Sequence, residues 1–96
     1  MTKGYWIAHI DVHNPDAHKL YMAANAIAFG KYGGRFLIRG GRAEIVEGAA
    51  RARHVVIEFK DYDTALACYR SSEYGEAMKL RVGASLSDIV VVEGVE

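Results

Sequence analysis

Three segments of this chain carry apolar side chains at both parities: YWIAHIDV at residues 5–12, HVVIEF at 54–59 and IVVVE at 89–93. Successive side chains of an extended strand leave opposite faces. A sheet built from these segments is therefore apolar on both sides, and each side needs a cover. That requirement limits the fold more than any motif in the chain. Within the first segment Trp6, Ala8, Ile10 and Val12 share one face, and Tyr5, Ile7, His9 and Asp11 share the other.

The helices available as cover are few. Asn14-Pro15-Asp16 reads as a helix start, with Asn as N-cap, Pro at the first helical position and an acid in the first turn. Ala17, Leu20, Ala24, Ile27 and Ala28 recur at helical spacing and predict an apolar stripe running to about Gly30. Asp61 is the expected N-cap of a second helix that places Tyr62, Ala65, Leu66 and Tyr69 on one face. Ser71 caps a short third helix with Glu73, Ala77, Leu80 and Arg81, ended by Gly83.

Between the first two helices lies YGGRFLIRGGR, residues 32–42. Gly33-Gly34 follows a helix and suits a left-handed cap. Gly40-Gly41 is expected to turn a hairpin between short strands at 36–39 and 43–47. Neither pair opens a helix, so neither offers the free N–H groups of a phosphate-binding loop. The order of elements is β-α-β-β-α-(α)-β, a ferredoxin-like split βαβ pattern with one extra hairpin strand. Its antiparallel sheet has helices on one face. The other face expects a second copy of the same surface, because a two-fold interface is self-complementary. The reading is a single α+β domain over residues 1–96, forming a homodimer through the sheet face.

Composition excludes several classes of partner. Twelve basic and twelve acidic residues cancel, leaving no global field to draw nucleic acid or an anionic membrane. Arg35, Arg39, Arg42, Arg51 and Arg53 are interleaved with Glu44, Glu47 and Glu58, and no nucleic-acid affinity is expected. No apolar run approaches a spanning helix. The start MTKGYWIAHID lacks signal-peptide character, and the single Cys68 cannot form an internal disulfide. A cytoplasmic protein is the expectation.

Candidate chemistry is sparse. With period two in RFLIR, Arg35, Leu37 and Arg39 share one face and Phe36 and Ile38 the other. A covered Arg39 needs an anion: Glu58, Glu47 or Asp11, or else a ligand carboxylate. His18, Tyr21 and Asn25 lie at i, i+3 and i+7 beside the apolar stripe. They line a pocket between helix and sheet, or they meet solvent at the helix flank. Of the four histidines, His9, His13, His18 and His54, none forms a helical H-x-x-x-H pair or HExxH, and no metal is expected. His9 and His54 meet only if their strands are neighbours. Cys68, mid-helix, reads as a core thiol.

Four stretches, GYWIAHIDV, YMAANAIAFGKYGGRFLIRGG, VVIEFKDYDTALACYRSSEY and IVVVEGV, resemble the domain-of-unknown-function 1330 family from Gly4 to Val95. The resemblance implies a dimeric α+β barrel of the ferredoxin-like kind. That wider superfamily includes cofactor-free monooxygenases, isomerase-like proteins, haem-degrading enzymes and sensing domains, and the family itself has no established activity. Two functions are consistent with the residues. One is a cofactor-free enzyme acting on a small carboxylated or aromatic molecule, with His9 or Tyr21 moving a proton and Arg39, Asn25, Tyr21, His18 and Arg81 binding substrate. The other is a non-catalytic module that binds or senses a small molecule in the same pocket.

Overall fold

The computed structural model describes residues 2–96. Its elements are β1 (Gly4–Val12), α1 (Pro15–Lys31), β2 (Arg35–Arg39), β3 (Arg53–Phe59), α2 (Tyr62–Tyr69), α3 (Ser72–Arg81) and β4 (Ser85–Glu93). Each helix starts at a side-chain cap. Asn14 accepts from the N–H of Ala17, Asp61 from Thr64 and Ser71 from Tyr74, satisfying donors that a helix start leaves free. The N–H of Gly34 returns to the Phe29 carbonyl at 2.8 Å, and Gly33 takes φ +70°, so the first glycine pair closes α1.

The strands form one antiparallel sheet in the order β2-β3-β1-β4. This is the ferredoxin-like α+β topology. The sheet is open, with β2 and β4 as its two edges, and this corrects the expected barrel: the sheet does not close on itself. A second correction concerns residues 43–47, which form no strand. β2 pairs directly with β3, and residues 40–52 make an exposed loop between them. Arg42, Glu44 and Glu47 leave that segment only the small Ala43 beside Ile45 and Val46 as apolar residues, too little for a further strand. Arg51 fastens the end of the loop, donating to Asp11 at 2.8 Å and to Asp88 at 3.0 Å.

The helices lie against the face that carries Trp6, Ala8, Ile10, Val55, Ile57 and Phe59, all buried. Trp6 is the hub. Its ring meets Phe29 at 5.0 Å and Tyr74 at 4.9 Å edge-on, and Phe59 at 6.0 Å. Its Nε1–H donates to the Ala65 carbonyl at 2.7 Å, which pins α2 to the sheet. Edge-to-face aromatic pairs add to the burial itself. The opposite face bears Tyr5, Ile7, Ile38, Val56, Leu86, Val90 and Val92, with Leu86 at 53% and Val90 at 54% exposure.

Replacing Trp6 with Phe keeps an aromatic ring but leaves the Ala65 carbonyl without its donor and opens a small void. The expected loss is about 2–3 kcal/mol of unfolding free energy, measured by urea denaturation. A loss below about 0.5 kcal/mol would show that α2 docks without this bond.

Candidate functional site

A cavity of about 30 Å³ lies between α1 and the sheet. Its walls are apolar, from Ile10, Val55, Ile57, Ile89, Phe29 and Phe36. Its polar groups come from His18, Tyr21, Asn25, Arg39, Arg53 and Ser87, and no Asp or Glu lines it.

Helix α1 brings the first three. Leu20 and Ile27 of the expected stripe are 63% and 67% exposed, whereas the buried row is His18, Tyr21, Asn25, Ala28 and Phe29. The phase of the helix is set by Phe29, which packs edge-on against Trp6 and, at 5.6 Å, against Phe36. Going back from Phe29 in steps of four, four and three leads to Asn25, Tyr21 and His18. The polar row thus faces the sheet and not solvent.

A β-bulge supplies Arg39. Phe36 pairs with Ile57 and Ile38 with Val56, so Leu37 is the extra residue. The bulge breaks the period of two. Arg39 pairs with Val55 and joins Phe36 on the helix face, while Ile38 turns to the far face with Arg35. The Arg39 guanidinium lies 4.3 Å from the centre of the Phe36 ring. None of its expected carboxylates reaches it: Glu58 faces Arg35 at 3.7 Å, Asp11 is bound by Arg51, and Glu47 lies in the exposed loop.

Arg53 is the residue that sequence reasoning missed. Strand β3 begins one residue earlier than expected, and period two from Phe59 through Ile57 and Val55 carries Arg53 onto the helix face opposite Ile10. That parity was legible in RHVVIEF. The Arg53 guanidinium sits beside Gly40, where a Cβ would collide with it. Its Nη2 approaches the Met22 sulfur at 3.9 Å, and its Nε is buried without a partner.

Five buried side-chain polar atoms among the described residues lack a hydrogen-bond partner, and four of them belong to cavity residues: His18 Nδ1, Asn25 Oδ1, Arg53 Nε and Ser87 Oγ. Buried polar atoms are otherwise almost always paired, so their concentration around one apolar cavity sets this region apart from the rest of the core. His18 is 5% exposed. Burial first, and the Arg53 charge second, hold its imidazole below its ordinary pKa of 6.5, in the neutral form.

The remaining candidates, Arg81 and His9, do not line the cavity. The Tyr21 hydroxyl bonds that of Tyr74 at 2.7 Å, and Arg81 donates to Tyr74 at 3.2 Å with its guanidinium 5.9 Å from the Tyr21 ring. Arg81 therefore backs the cavity through Tyr74 and does not line it. Burial, then the neighbouring Tyr21, pushes the Tyr74 phenol far above its usual pKa, which keeps it a neutral hydrogen-bonding group. His9 stands on the opposite sheet face, with its Nδ1 2.8 Å from that of His54. It is separated from Tyr21 and the cavity by the sheet. Among the described residues no group of three or more His, Cys, Asp or Glu is placed to hold a metal ion. The Cys68 thiol is buried and pushed up to about 12, first by desolvation and then by Glu73, so it is inert at neutral pH.

Residues 3–95 match the domain of unknown function family DUF1330, and the chain belongs to it. No curated protein matches the chain. Among solved structures it is similar to a protein of unknown function from Rhodopseudomonas palustris, at 14% identity and TM-score 0.77, over 99% of this chain and 84% of that one. A cofactor-independent oxygenase from Streptomyces nogalater aligns at 14% identity and TM-score 0.66, over 100% and 96% of the two chains. A dimeric ferredoxin-like protein of unknown function from Thermobifida fusca aligns at 14% identity and TM-score 0.62, over 99% and 92%. These likenesses establish the fold. Among the described residues no helix is long and apolar enough to cross a membrane.

The buried His18 has a pH signature. Its folded pKa lies below the unfolded value near 6.5, so on acidification the unfolded chain takes up a proton that the folded chain resists. Stability contributed by neutral His18 is present above about pH 6.5 and is lost as pH falls toward the lower folded value. Melting temperatures of the native protein and His18→Gln, measured from pH 8 to about pH 5, are expected to show a steeper acid loss for the native protein. Parallel curves would contradict the assignment.

Proposed function

We propose that this DUF1330 protein binds a small carboxylated or aromatic molecule in the cavity between α1 and the sheet and acts on it without a bound cofactor. The observation that carries the reading is the set of unpaired polar atoms on His18, Asn25, Arg53 and Ser87 around apolar walls. A folded chain retains such groups at a cost of about 1–3 kcal/mol each, a cost that a guest with matching groups offsets. In this reading Arg39 and Asn25 bind the guest. Neutral His18 accepts a proton from it, and Tyr21, backed by Tyr74 and Arg81, orients it. The fold shared with a cofactor-independent oxygenase supports chemistry carried out without a cofactor.

Binding without chemistry is the second reading. It is favoured by the Tyr21–Tyr74 hydrogen bond, which engages the one phenol in the cavity and leaves His18 as the single proton acceptor there. Turnover of a bound ligand, lost in His18→Gln with binding retained, supports the enzyme. Binding with no turnover supports the sensor.

The site is tested through Asn25→Leu in a thermal-shift screen against small carboxylates and phenols. Removing a buried amide whose oxygen is unpaired, and filling the void, is expected to raise the melting temperature of the free protein by roughly 4–8 °C, the equivalent of about 1 kcal/mol. The same change abolishes the ligand-dependent rise seen in the native protein. A variant that is instead destabilised makes Asn25 an ordinary core amide and removes the argument for a site.

The uncovered sheet face pairs with the same face of a second copy in this proposal. Its support is the apolar surface around Ile38, Leu86, Val90 and Val92, exposed between 37% and 54%, and the dimeric relative from Thermobifida fusca. Light scattering is expected to give twice the mass of the 10.6 kDa chain, and Val90→Lys is expected to give the single chain. A monomeric native protein would contradict the pairing.

A further inference from the structure

The cavity carries an imbalance of charge that its size and shape make specific. Two guanidiniums, Arg39 and Arg53, line it, and no carboxylate does. Three acids of the sheet are engaged elsewhere: Asp11 and Asp88 hold Arg51, and Glu58 faces Arg35. Arg53 is placed with care for such an isolated cation. It lies on Gly40, which has φ +68° and leaves no room for a side chain, and its Nε is buried and unpaired. Arg39 is turned onto the same face by the bulge at Leu37 and stacked on Phe36.

We infer that the guest of this cavity is a short-chain monocarboxylate, its carboxylate held between Arg53 and Arg39 and its alkyl group against the aliphatic walls. The inference rests on the cavity being a ligand site and names the class of ligand. A buried guanidinium edge matches the two coplanar oxygens of a carboxylate and forms paired charge-assisted hydrogen bonds with them. The free space of about 30 Å³ lies against mostly apolar walls, which favours a singly charged anion with an apolar tail over a strongly hydrated tetrahedral dianion. That volume also sets the scale of the tail. It exceeds the space of one water by a factor of two to three, which suits a chain of a few carbons and not a fused ring. The walls Ile10, Val55 and Ile89 add no polar group along such a tail.

The test is calorimetric titration of the native protein with sodium propionate, propionamide, phenol and inorganic phosphate at matched ionic strength. Three variants are run beside it: Arg53→Met, Arg39→Met and Gly40→Ala. The last keeps every charge and displaces the Arg53 guanidinium. Propionate is expected to bind, with propionamide and phosphate at least tenfold weaker. Arg53→Met and Gly40→Ala are each expected to weaken propionate at least tenfold, and Arg39→Met by a smaller factor because that guanidinium is the more exposed. If Arg53→Met fails to fold, Gly40→Ala and Arg39→Met carry the test. Phosphate binding as tightly as propionate would overturn the carboxylate assignment in favour of a general anion site. Phenol or propionamide binding without propionate would overturn it while leaving the ligand site in place. Binding of none of the four would overturn both.

Discussion

The edge-to-face contact between Phe29 and Trp6 decides what the rest of this molecule can be. Those two rings meet at 5.0 Å and 87°, and the contact fixes the rotation of α1 about its own axis. A helix has one face to bury, and an aromatic anchor outweighs aliphatic residues elsewhere on its circumference. Once Phe29 is seated, Asn25, Tyr21 and His18 follow it inward, and Leu20 and Ile27 are carried outward. The fold accepts polar groups over its own sheet as a consequence, and the cavity beneath them remains incompletely satisfied.

Trp6 also ties the second layer together. Its indole N–H holds α2 through Ala65, and its ring receives Tyr74 of α3. Tyr74 in turn takes the Tyr21 hydroxyl and the Arg81 guanidinium. The Tyr21–Tyr74–Arg81 side of the cavity is therefore hydrogen-bonded, while His18 and Asn25 on α1 and Arg53 and Ser87 on the sheet present unpaired atoms toward one space. Unpaired groups from two elements converging on one cavity are what the proposed binding site needs. A core that had merely packed poorly would scatter its unsatisfied groups.

Much of the fold could be read from the chain. The caps at Asn14, Asp61 and Ser71, the buried parity of Trp6, Ala8 and Ile10, and the apolar far face of the sheet all follow from local chemistry that tertiary context did not override. The misreadings have physical causes. Counting apolar residues along α1 favoured Leu20 and Ile27 because the count gives a ring no more weight than a methyl group. Period two in RFLIR failed because a bulge at Leu37 is invisible to alternation, and that single residue moves Arg39 to the other face. Arg53 was lost to a strand boundary placed one residue late. Residues 43–47 looked like a strand because Gly40-Gly41 resembles a hairpin turn, yet Arg42, Glu44 and Glu47 leave too little apolar surface there to hold a further strand on the free edge of β2. The expectation of a barrel came from resemblance, and the open order β2-β3-β1-β4 replaces it. His9 met His54 because β1 and β3 are indeed neighbours, but on the face away from Tyr21.

What unites these features is an arginine buried at its Nε without an anion. The most direct test is an NMR titration that follows the arginine Nε–H signals as propionate is added. The account predicts that the Arg53 signal moves in a saturable way while those of Arg51 and Arg35, already paired with carboxylates, stay in place. An Arg53 Nε–H that is unmoved at every concentration would contradict it, and would make the polar lining of the cavity part of the core.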